Sequence, residues 1–374
     1  MGIFVHILSS SKIMNLIKND IVKIKDLLGV NLPPKMIAFS GRIVTISKVY
    51  NDDFYILEDE GRYKWNISMV SKIIYKSRFD EVKHKYEYYN AEFGESFYKY
   101  ADNMNLNYLN NKYDECVNRD NEINRLCEII ARKNKCNPLL IGKTGVGKTA
   151  IVEGLVAKII EMNMSESIQY INHPLYNKVI YNLNLNSLIS GTKYRGDFED
   201  RLTTIINIAI NNPNVILFID EIHMITGLNN SVETGTVSMA QMIKQPLSRG
   251  DISVIGATTT DEYDKIKSDK ALNRRFSPVV INEFSKDSMK LLLQSIKNTY
   301  SQFHSVEIGD NIMKATLSYC DDFYEDKVFP DKLIDIIDET AARVKLNNYD
   351  KDNVVMTIDD IKKTVFNQTG KILV

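Results

Sequence analysis

The residues best suited to chemistry lie in the run GKTGVGKT, from Gly142 to Thr149, which is called the phosphate loop here. The run fits the pattern G-x-x-x-x-G-K-[ST] and stands between a strand-like run, PLLI, and a helix-like run, TAIVEGLVAKII. Gly145 and Gly147 allow backbone N–H groups to turn toward phosphate oxygens, and a helix N-terminus adds its dipole. Lys148 would supply a point charge for the β- and γ-phosphates, and Thr149 a hydroxyl for Mg²⁺. The residues predicted to contact the nucleotide are Gly142, Thr144, Gly145, Val146, Gly147, Lys148, Thr149 and Ala150.

A pair of carboxylates, Asp220 and Glu221, follows the apolar run VILFI. Five apolar residues in a row are typical of a buried parallel strand, whose C-terminal end would deliver both side chains to one edge of a sheet. Asp220 would hold Mg²⁺ through its water shell, and Glu221 would orient and activate the attacking water. Alone, this run indicates only a strand and a charged turn. After a phosphate loop it predicts hydrolysis of a nucleoside triphosphate.

His223 follows these carboxylates closely, which raises the question of a metal site. No second ligand stands at metal-binding spacing in the sequence, so His223 is interpreted as a structural residue at the end of the strand.

The elements that must position these residues alternate in type after Val117. Strand-like runs (PLLIG, VIYNLNL, NVILFID, ISVIGAT) are separated by helix-like segments, which predicts an α/β domain with a parallel sheet covered by helices. Beyond about Ser285 the strand pattern ends and only helical spacing with helix caps remains. Pro330 with Asp331 would begin one helix, and Thr357 and Gly370 would begin and end another.

The first part of the chain has a different pattern. Short β-type runs between Ile37 and Ile74, broken by turn residues, predict a small antiparallel sheet or barrel that ends before residue 80. The stretch from Ser77 to Glu115 is rich in Tyr and Asn and predicts a helical or irregular connector. Its tyrosines are expected to pack against neighbouring residues rather than to form a binding platform.

Composition narrows the classes of protein further. Lys plus Arg (47) balances Asp plus Glu (48) without a basic block, so no nucleic-acid partner is predicted. The N-terminal apolar run is too short to span a membrane and lacks a basic flank, which favours a cytoplasmic protein without a membrane partner. The cysteines form no CxxC pair and have no His at zinc spacing, which fits a reducing compartment; they are Cys116, Cys127, Cys136 and Cys320.

From about Glu115 onward the chain resembles the first nucleotide-binding module of the Clp family of AAA+ unfoldases. The segments that carry the resemblance are VNRDNEINRL, GKTGVGKTAIVEGL, SGTKYRGDFEDRL, FIDEIH, GATTTDEY, ALNRRF and FPDKLIDIIDETAARVK. It implies ATP as substrate, Mg²⁺ as cofactor and a homo-oligomeric, hexameric ring. It also implies an AAA+ P-loop NTPase domain at 115–285 and a helical lid at 286–374. Before them we expect a connector at 81–114 and, at 1–80, an N-terminal helix with a small barrel-like β-rich domain.

The same resemblance assigns residues to the nucleotide. Val117 and Asn118 fall in the segment that wraps the adenine, although the family has Gly where this chain has Asn118. Thr259 falls at the position that reads the γ-phosphate, with Thr258 as the alternative. A third interpretation is a strand-end threonine that only hydrogen-bonds the backbone.

Two further segments gain a role from the resemblance. Arg274 and Arg275 match the pair that reaches the nucleotide of the next subunit, where a guanidinium neutralises charge on the transferred phosphoryl group. Lys193, Tyr194 and Arg195 lie on a glycine-bracketed loop, and in the family this tyrosine lines a central pore. From spacing alone, a packed tyrosine or a solvated pair of arginines would be the simpler interpretation.

The chain also departs from the family. The sequence predicts a single-ring version with neither the loop that docks a peptidase nor the coiled-coil insertion of disaggregases. The β-rich segment replaces the usual N-domain, and it would recruit a substrate or an adaptor or serve as a structural cap. The expected function is an ATP-dependent unfoldase that threads polypeptide through a ring. The alternatives are an AAA+ ATPase that remodels a nucleic-acid complex and a nucleotide-gated assembly factor that does not thread its partner.

Overall fold

The structure is a computed structural model that describes residues 21–24, 43–50, 53–56, 65–66, 70–74, 76–165, 170–189, 195–227, 239–324, 327–351 and 354–371. The chain divides into two compact units. One, the nucleotide unit, contains residues 84–291 and 324–334. The other, the lid unit, contains residues 1–83, 292–323 and 335–374.

The strands are β1 Ile21–Ile24, β2 Ile43–Tyr50, β3 Asp53–Ile56, β4 Trp65–Asn66, β5 Val70–Ile74, β6 Ala101–Asn103, β7 Asn137–Ile141, β8 Val179–Leu183, β9 Val215–Ile219, β10 Ser253–Thr258, β11 Phe276–Val280, β12 Val306–Glu307 and β13 Val354–Val355. The helices are Lys76–Phe93, Glu95–Tyr98, Met104–Leu109, Asp120–Ile130, Lys148–Met164, Leu185–Ile189, Arg195–Asn211, Met224–Gly227, Met239–Arg249, Tyr263–Ser268, Lys270–Asn273, Lys286–His304, Asp310–Phe323, Asp331–Asn347 and Ile358–Thr369.

The core of the nucleotide unit is a six-stranded sheet in the order β11-β7-β10-β9-β8-β6. The strands from β11 to β8 pair in parallel, and only β6 runs antiparallel to its neighbour. Every residue of β7 and β9 is buried, because helices cover both faces of a parallel sheet. The predicted parallel α/β domain is confirmed, and the sheet is mixed at one edge.

The helix Lys148–Met164 fixes the phosphate loop to this core. Five of its apolar residues are fully buried, so the helix cannot shift without opening the interior; they are Ile151, Val152, Leu155, Val156 and Ile159. The first turn of this helix is therefore held rigidly beside the C-terminal end of β7.

The predicted connector forms part of the nucleotide unit from residue 84 onward. The prediction of a helical or irregular segment missed β6, which pairs with β8 in the register Ala101↔Leu183. Three residues carry no strand pattern of their own; β6 forms because the edge of β8 offers unpaired backbone groups. The expectation that the tyrosines pack is confirmed for Tyr86 and Tyr100, which are buried, whereas Tyr88 is exposed.

The C-terminal part of the lid unit is helical, as predicted. Its core contains Ile336, Ile361 and Val365, all fully buried, and a buried hydrogen bond from Thr340 Oγ1 to Thr364 Oγ1 of 2.7 Å. The prediction of an all-helical domain needs one correction, because β12 and β13 form a short parallel pair. These strands have two residues each, and so short a run leaves no periodic pattern in a sequence.

The predicted helix boundaries hold in both units. The helix Asp331–Asn347 begins directly after Pro330. Thr357 is the N-cap of Ile358–Thr369, and Gly370 ends that helix with φ 70°, a left-handed conformation that glycine adopts without steric cost.

The N-terminal strands form a five-stranded antiparallel sheet in the order β4-β3-β2-β1-β5. The β-rich character of this segment agrees with the sequence, but the barrel form is not supported. Among the described residues β4 and β5 are the two edges, and no pairing joins them. The predicted N-terminal helix is wrong where the structure describes it, because residues 21–24 form β1, which pairs with β2 on one side and β5 on the other. The rest of that segment lies outside the described residues. In the described part of the chain, no helix combines the length and the apolar character needed to cross a membrane.

Candidate nucleotide site

The phosphate loop connects the C-terminal end of β7 to the helix Lys148–Met164. Gly145 and Gly147 have φ values of 83° and 91°, in the left-handed region that side-chain-bearing residues adopt at a cost. Gly147 is the N-cap residue of the helix and has no side chain to block its N-terminal N–H groups. Both predicted glycines therefore stand where the backbone needs them, and the loop presents N–H donors at a positive helix end.

Lys148 begins the helix, and its ammonium group folds back over the loop. Its Nζ donates to Gly142 O at 2.9 Å and to Lys143 O at 3.0 Å. Burial lowers the pKa of Lys148 from its usual value, and the carboxylates of Asp220 and Glu221 oppose that shift. The cation is thus held by backbone carbonyls in a place where phosphate oxygens are better partners.

Asp220 and Glu221 leave the end of β9 beside the phosphate loop, although β10 lies between β9 and β7 in the sheet. Thr149 Oγ1 donates to Asp220 Oδ2 at 3.2 Å. A hydroxyl and a carboxylate at this separation are hard oxygen donors of the kind that Mg²⁺ prefers, so the pair fits the predicted metal. Asp220 Oδ1 also accepts from the backbone N–H of Glu221 at 2.9 Å, which fixes the carboxylate.

Glu221 has a left-handed backbone conformation with φ 49° and an exposed side chain. The next residue, Ile222, is buried and donates its N–H to Ala257 O at 3.0 Å. That bond and that burial hold the turn in a conformation that non-glycine residues adopt at some cost. Glu221 lines the same cavity as Lys148 and Asp220.

Thr258 and Thr259 follow at the end of β10, next to β9. The Thr258 hydroxyl lies 3.2 Å from His223 Nδ1 and is buried, whereas Thr259 Oγ1 accepts from Glu262 N–H at 3.2 Å. Both residues line the same cavity, so both predicted candidates remain. His223 contacts Thr258, and no group of three potential metal ligands occurs among the described residues.

These elements surround a cavity of about 580 Å³ within the nucleotide unit. Its lining includes residues of the phosphate loop, both carboxylates and both threonines, whereas two residues predicted to contact the nucleotide, Gly142 and Val146, do not line it. The sequence analysis missed nine of its lining residues: Asn182, Leu183, Asn184, Leu185, Asn186, Met224, Pro330, Asp331 and Ile334. The asparagines alternate in the run NLNLN at the end of β8, and polar residues at the end of a parallel strand are a usable signal. Nothing local marks the segment 330–334 as part of a site.

The predicted adenine segment lies outside the residues that line this cavity. Asn118 is exposed, and its backbone is left-handed with φ 57°. Asn stands here where the family has Gly, and Asn is among the non-glycine residues that adopt this conformation most readily. The adjacent Arg119 is buried, and its guanidinium N–H donates to Val146 O at 2.9 Å. The guanidinium carbon lies 3.7 Å from the centre of the Phe284 ring. Arg119 therefore ties the Val117–Asn118 segment to the phosphate loop.

Arg274 and Arg275 stand between the helix Lys270–Asn273 and β11. Arg274 is exposed and Arg275 is half-buried, and neither lines the cavity of its own chain. Lys193 and Tyr194 lie outside the described residues. Arg195 begins the helix Arg195–Asn211, and only its backbone is described.

A phosphate loop after β7 and a carboxylate pair after β9, on one edge of a parallel sheet, define a P-loop nucleotide-binding protein. Comparison with known families gives a match to the ATPase family associated with various cellular activities (AAA) over residues 138–284. A second match, to the AAA lid domain, covers residues 285–372. The chain belongs to the Clp family of AAA+ ATPases.

The relatives agree with this assignment. The chain is 40% identical to chaperone protein ClpB of Mycoplasma genitalium over 267 residues, and this matched region covers 71% of this chain and 36% of that protein. The structure is similar to the closed state of Hsp104 with ATPγS and FITC casein, with a TM-score of 0.64, 33% identity and coverage of 74% of this chain and 46% of the other. The complex of S. cerevisiae Hsp104 with ADP gives a TM-score of 0.63, 32% identity and coverage of 73% and 45%. The chain spans about a third of that curated relative.

Proposed function

We propose that the chain hydrolyses ATP and uses the energy to unfold polypeptides. The observation that carries the proposal is the arrangement around one cavity of Lys148, the Thr149–Asp220 pair at 3.2 Å and Glu221. Cation, metal ligands and a carboxylate free of the metal pair are the parts that phosphoryl transfer to water needs. The names of the relatives, a chaperone and an Hsp104 solved with casein, support a polypeptide as the second substrate.

In this proposal each residue has one task. The phosphate loop and Lys148 would bind the β- and γ-phosphates, and Thr149 and Asp220 would hold Mg²⁺, whose charge would neutralise part of the charge on the phosphates. Glu221 orients the attacking water and accepts its proton. Thr259, or Thr258, donates its hydroxyl to the γ-phosphate.

The remaining tasks involve other subunits and the polypeptide. We propose a homo-oligomeric ring, most simply of six subunits, in which Arg274 and Arg275 reach the nucleotide of the neighbour. Lys193, Tyr194 and Arg195 would contact an extended polypeptide in the pore, and the N-terminal strands would recruit a substrate or an adaptor. No peptidase partner is proposed. The division into segments 1–80, 81–114, 115–285 and 286–374 belongs to the same proposal.

The test is the rate of ATP hydrolysis as a function of protein concentration, with and without casein. We expect turnover that rises cooperatively with concentration and is stimulated by casein. Glu221→Gln is expected to bind ATP but to hydrolyse it about 100-fold more slowly, because the water loses its base. Tyr194→Ala is expected to keep basal hydrolysis and lose the stimulation by casein.

The outcomes separate the candidate functions. ATP turnover that responds neither to casein nor to Tyr194→Ala would favour an ATPase that remodels or assembles a complex without threading. Absence of nucleotide binding in the wild type would contradict both candidates. Because Glu221→Gln retains the phosphate loop, its binding of ATP separates a loss of chemistry from a loss of folding.

A further inference from the structure

The phosphate loop is contacted by a carboxylate from outside the motif. Asp331 lies against the α-carbon of Gly145: a β-carbon built on Gly145 would be 2.6 Å from Asp331 Cβ and 2.8 Å from Asp331 Oδ2. Asp331 is half-buried and lines the nucleotide cavity together with Pro330 and Ile334. The absence of a side chain at Gly145 thus gives this carboxylate a place directly on the loop.

The effect of Asp331 on a bound nucleotide depends on the other charges around the cavity. Of the charged residues that line the cavity in the described part of the chain, Lys148 is the cation, and Asp220, Glu221 and Asp331 are the carboxylates. Asp220 and Glu221 have proposed tasks that need negative charge, because Asp220 belongs to the metal pair and Glu221 orients the attacking water. Asp331 instead faces the part of the loop whose N–H groups serve the phosphates, and a negative charge there repels them.

The helix that begins at Asp331 explains why a carboxylate is tolerated, but not why it stands on the loop. A carboxylate in the first turn is stabilised by the partial positive charge of the helix N-terminus. Asp359 has the same advantage in the first turn of Ile358–Thr369 without lining the cavity. The two aspartates therefore share the helix effect and differ in their relation to the nucleotide.

We propose that Asp331 weakens the binding of the nucleoside diphosphate product and speeds its release. The proposal rests on the proposed ATPase function. A motor must discard ADP in every cycle, and a fixed negative charge beside the diphosphate lowers the barrier to its departure. Because the site is open to solvent, the repulsion is screened, and an effect of about fivefold on the dissociation constant is expected.

The test compares the full chain with Asp331→Asn, which keeps the shape of the side chain, and with Asp331→Ser. The matched control is Asp359→Asn, which loses the same helix interaction. The dissociation constant and the dissociation rate of fluorescently labelled ADP are measured with and without Mg²⁺, at low and high salt. Both Asp331 variants are expected to bind ADP about fivefold more tightly, mainly through slower release. The gain should be larger without Mg²⁺ and smaller at high salt, whereas the control should match the wild type.

The possible contrary results are distinct. Unchanged ADP affinity in both Asp331 variants would overturn the proposal, and weaker binding only with Mg²⁺ would indicate that Asp331 supports the metal instead. Loss of folding in both variants, measured by circular dichroism, would make Asp331 a structural residue and would also overturn it. A wild-type chain that binds no ADP would refute the proposed ATPase function, a result that is visible before any variant is measured.

Discussion

At the scale of single residues, the backbone of the candidate site depends on left-handed conformations at Gly145, Gly147, Asn118 and Glu221. Two of these residues are glycines, which adopt the conformation freely. Asn118 and Glu221 adopt it at a cost that neighbouring contacts must offset. The consequence is a set of positions where a substitution acts through the backbone rather than through a lost contact.

Asn118 offers a direct test of this point. Asn118→Ala is expected to destabilise the protein by about 1 kcal/mol and to weaken ATP binding, because alanine resists positive φ. Asn118→Gly restores the family's residue and should leave the melting temperature and the ATP dissociation constant close to those of the wild type. Thermal unfolding and ATP titration check both variants. Equal behaviour of the Ala and Gly variants would show that φ at this position is not limiting.

Glu153, in the helix Lys148–Met164, is a half-buried acid that the proposed chemistry does not use. Burial, assisted by the negative charge of Asp114, raises the pKa of Glu153 from 4.5 to about 7. Between these two values the folded state holds a proton that the unfolded state has released, so stability falls as the pH rises from about 4.5 to 7.

Glu153→Gln is therefore expected to stabilise the protein at pH above 7, by about 2 kcal/mol, and to have little effect near pH 4.5. The measurement is urea unfolding of both proteins across this pH range. Glu128→Gln, which replaces an exposed glutamate, serves as the control and should show no such pH-dependent gain. A gain that is independent of pH would mean that burial of the charge is not the cause.

At the scale of elements, the site is built from strand ends and helix starts. β7, β9 and β10 end at the cavity, and the helices Lys148–Met164 and Asp331–Asn347 begin there. The carboxyl ends of parallel strands and the N-termini of helices present groups that bind anions and metal ions. The helices of the lid unit depend in the same way on their N-terminal residues for stability.

The capping box at Thr357 tests this dependence. Thr357 N–H donates to Asp360 Oδ2 at 3.0 Å, and Asp360 N–H donates to Thr357 Oγ1 at 3.3 Å. Thr357→Ala is expected to cost about 1 kcal/mol, because the N–H of Asp360 loses its side-chain acceptor and keeps only the weaker contact with Thr357 O at 3.2 Å. Thr357→Ser keeps the hydroxyl and should retain most of the stability in thermal unfolding. A serine variant as unstable as the alanine variant would assign the effect to the methyl group.

At the scale of the whole molecule, the arginines and the cavity are separate. Arg274 and Arg275 do not line the nucleotide cavity of their own chain, although the resemblance gives them a task in hydrolysis. The proposed ring would explain how these arginines could act in hydrolysis, because the arginines of a neighbouring subunit would complete each nucleotide site. Hydrolysis would then belong to an interface rather than to one chain.

Mixing two inactive variants tests this arrangement. Arg274→Ala/Arg275→Ala keeps Glu221, and Glu221→Gln keeps both arginines, so a mixed ring contains interfaces with every part intact. An equal mixture is expected to recover up to about a quarter of the wild-type rate, the fraction of interfaces with the correct order. Each variant alone should remain inactive. A mixture no more active than its components would contradict the proposed role of the arginines in the neighbouring subunit.

The sequence by itself determined the features that depend on local pattern. The phosphate loop, the buried strand before Asp220 and Glu221 and the ends of the helix Ile358–Thr369 follow from residue types at short spacing, because hydrogen bonds and backbone conformation act over a few residues. Only the tertiary structure decided which distant segments meet. In the folded chain β6 pairs with the edge of β8, and the side chain of Asp331 packs against Gly145. The first contact supplies hydrogen-bond partners to backbone groups at a strand edge, and the second fills space in a close-packed interior. Both depend on residues far apart in the chain, so no local pattern predicts them.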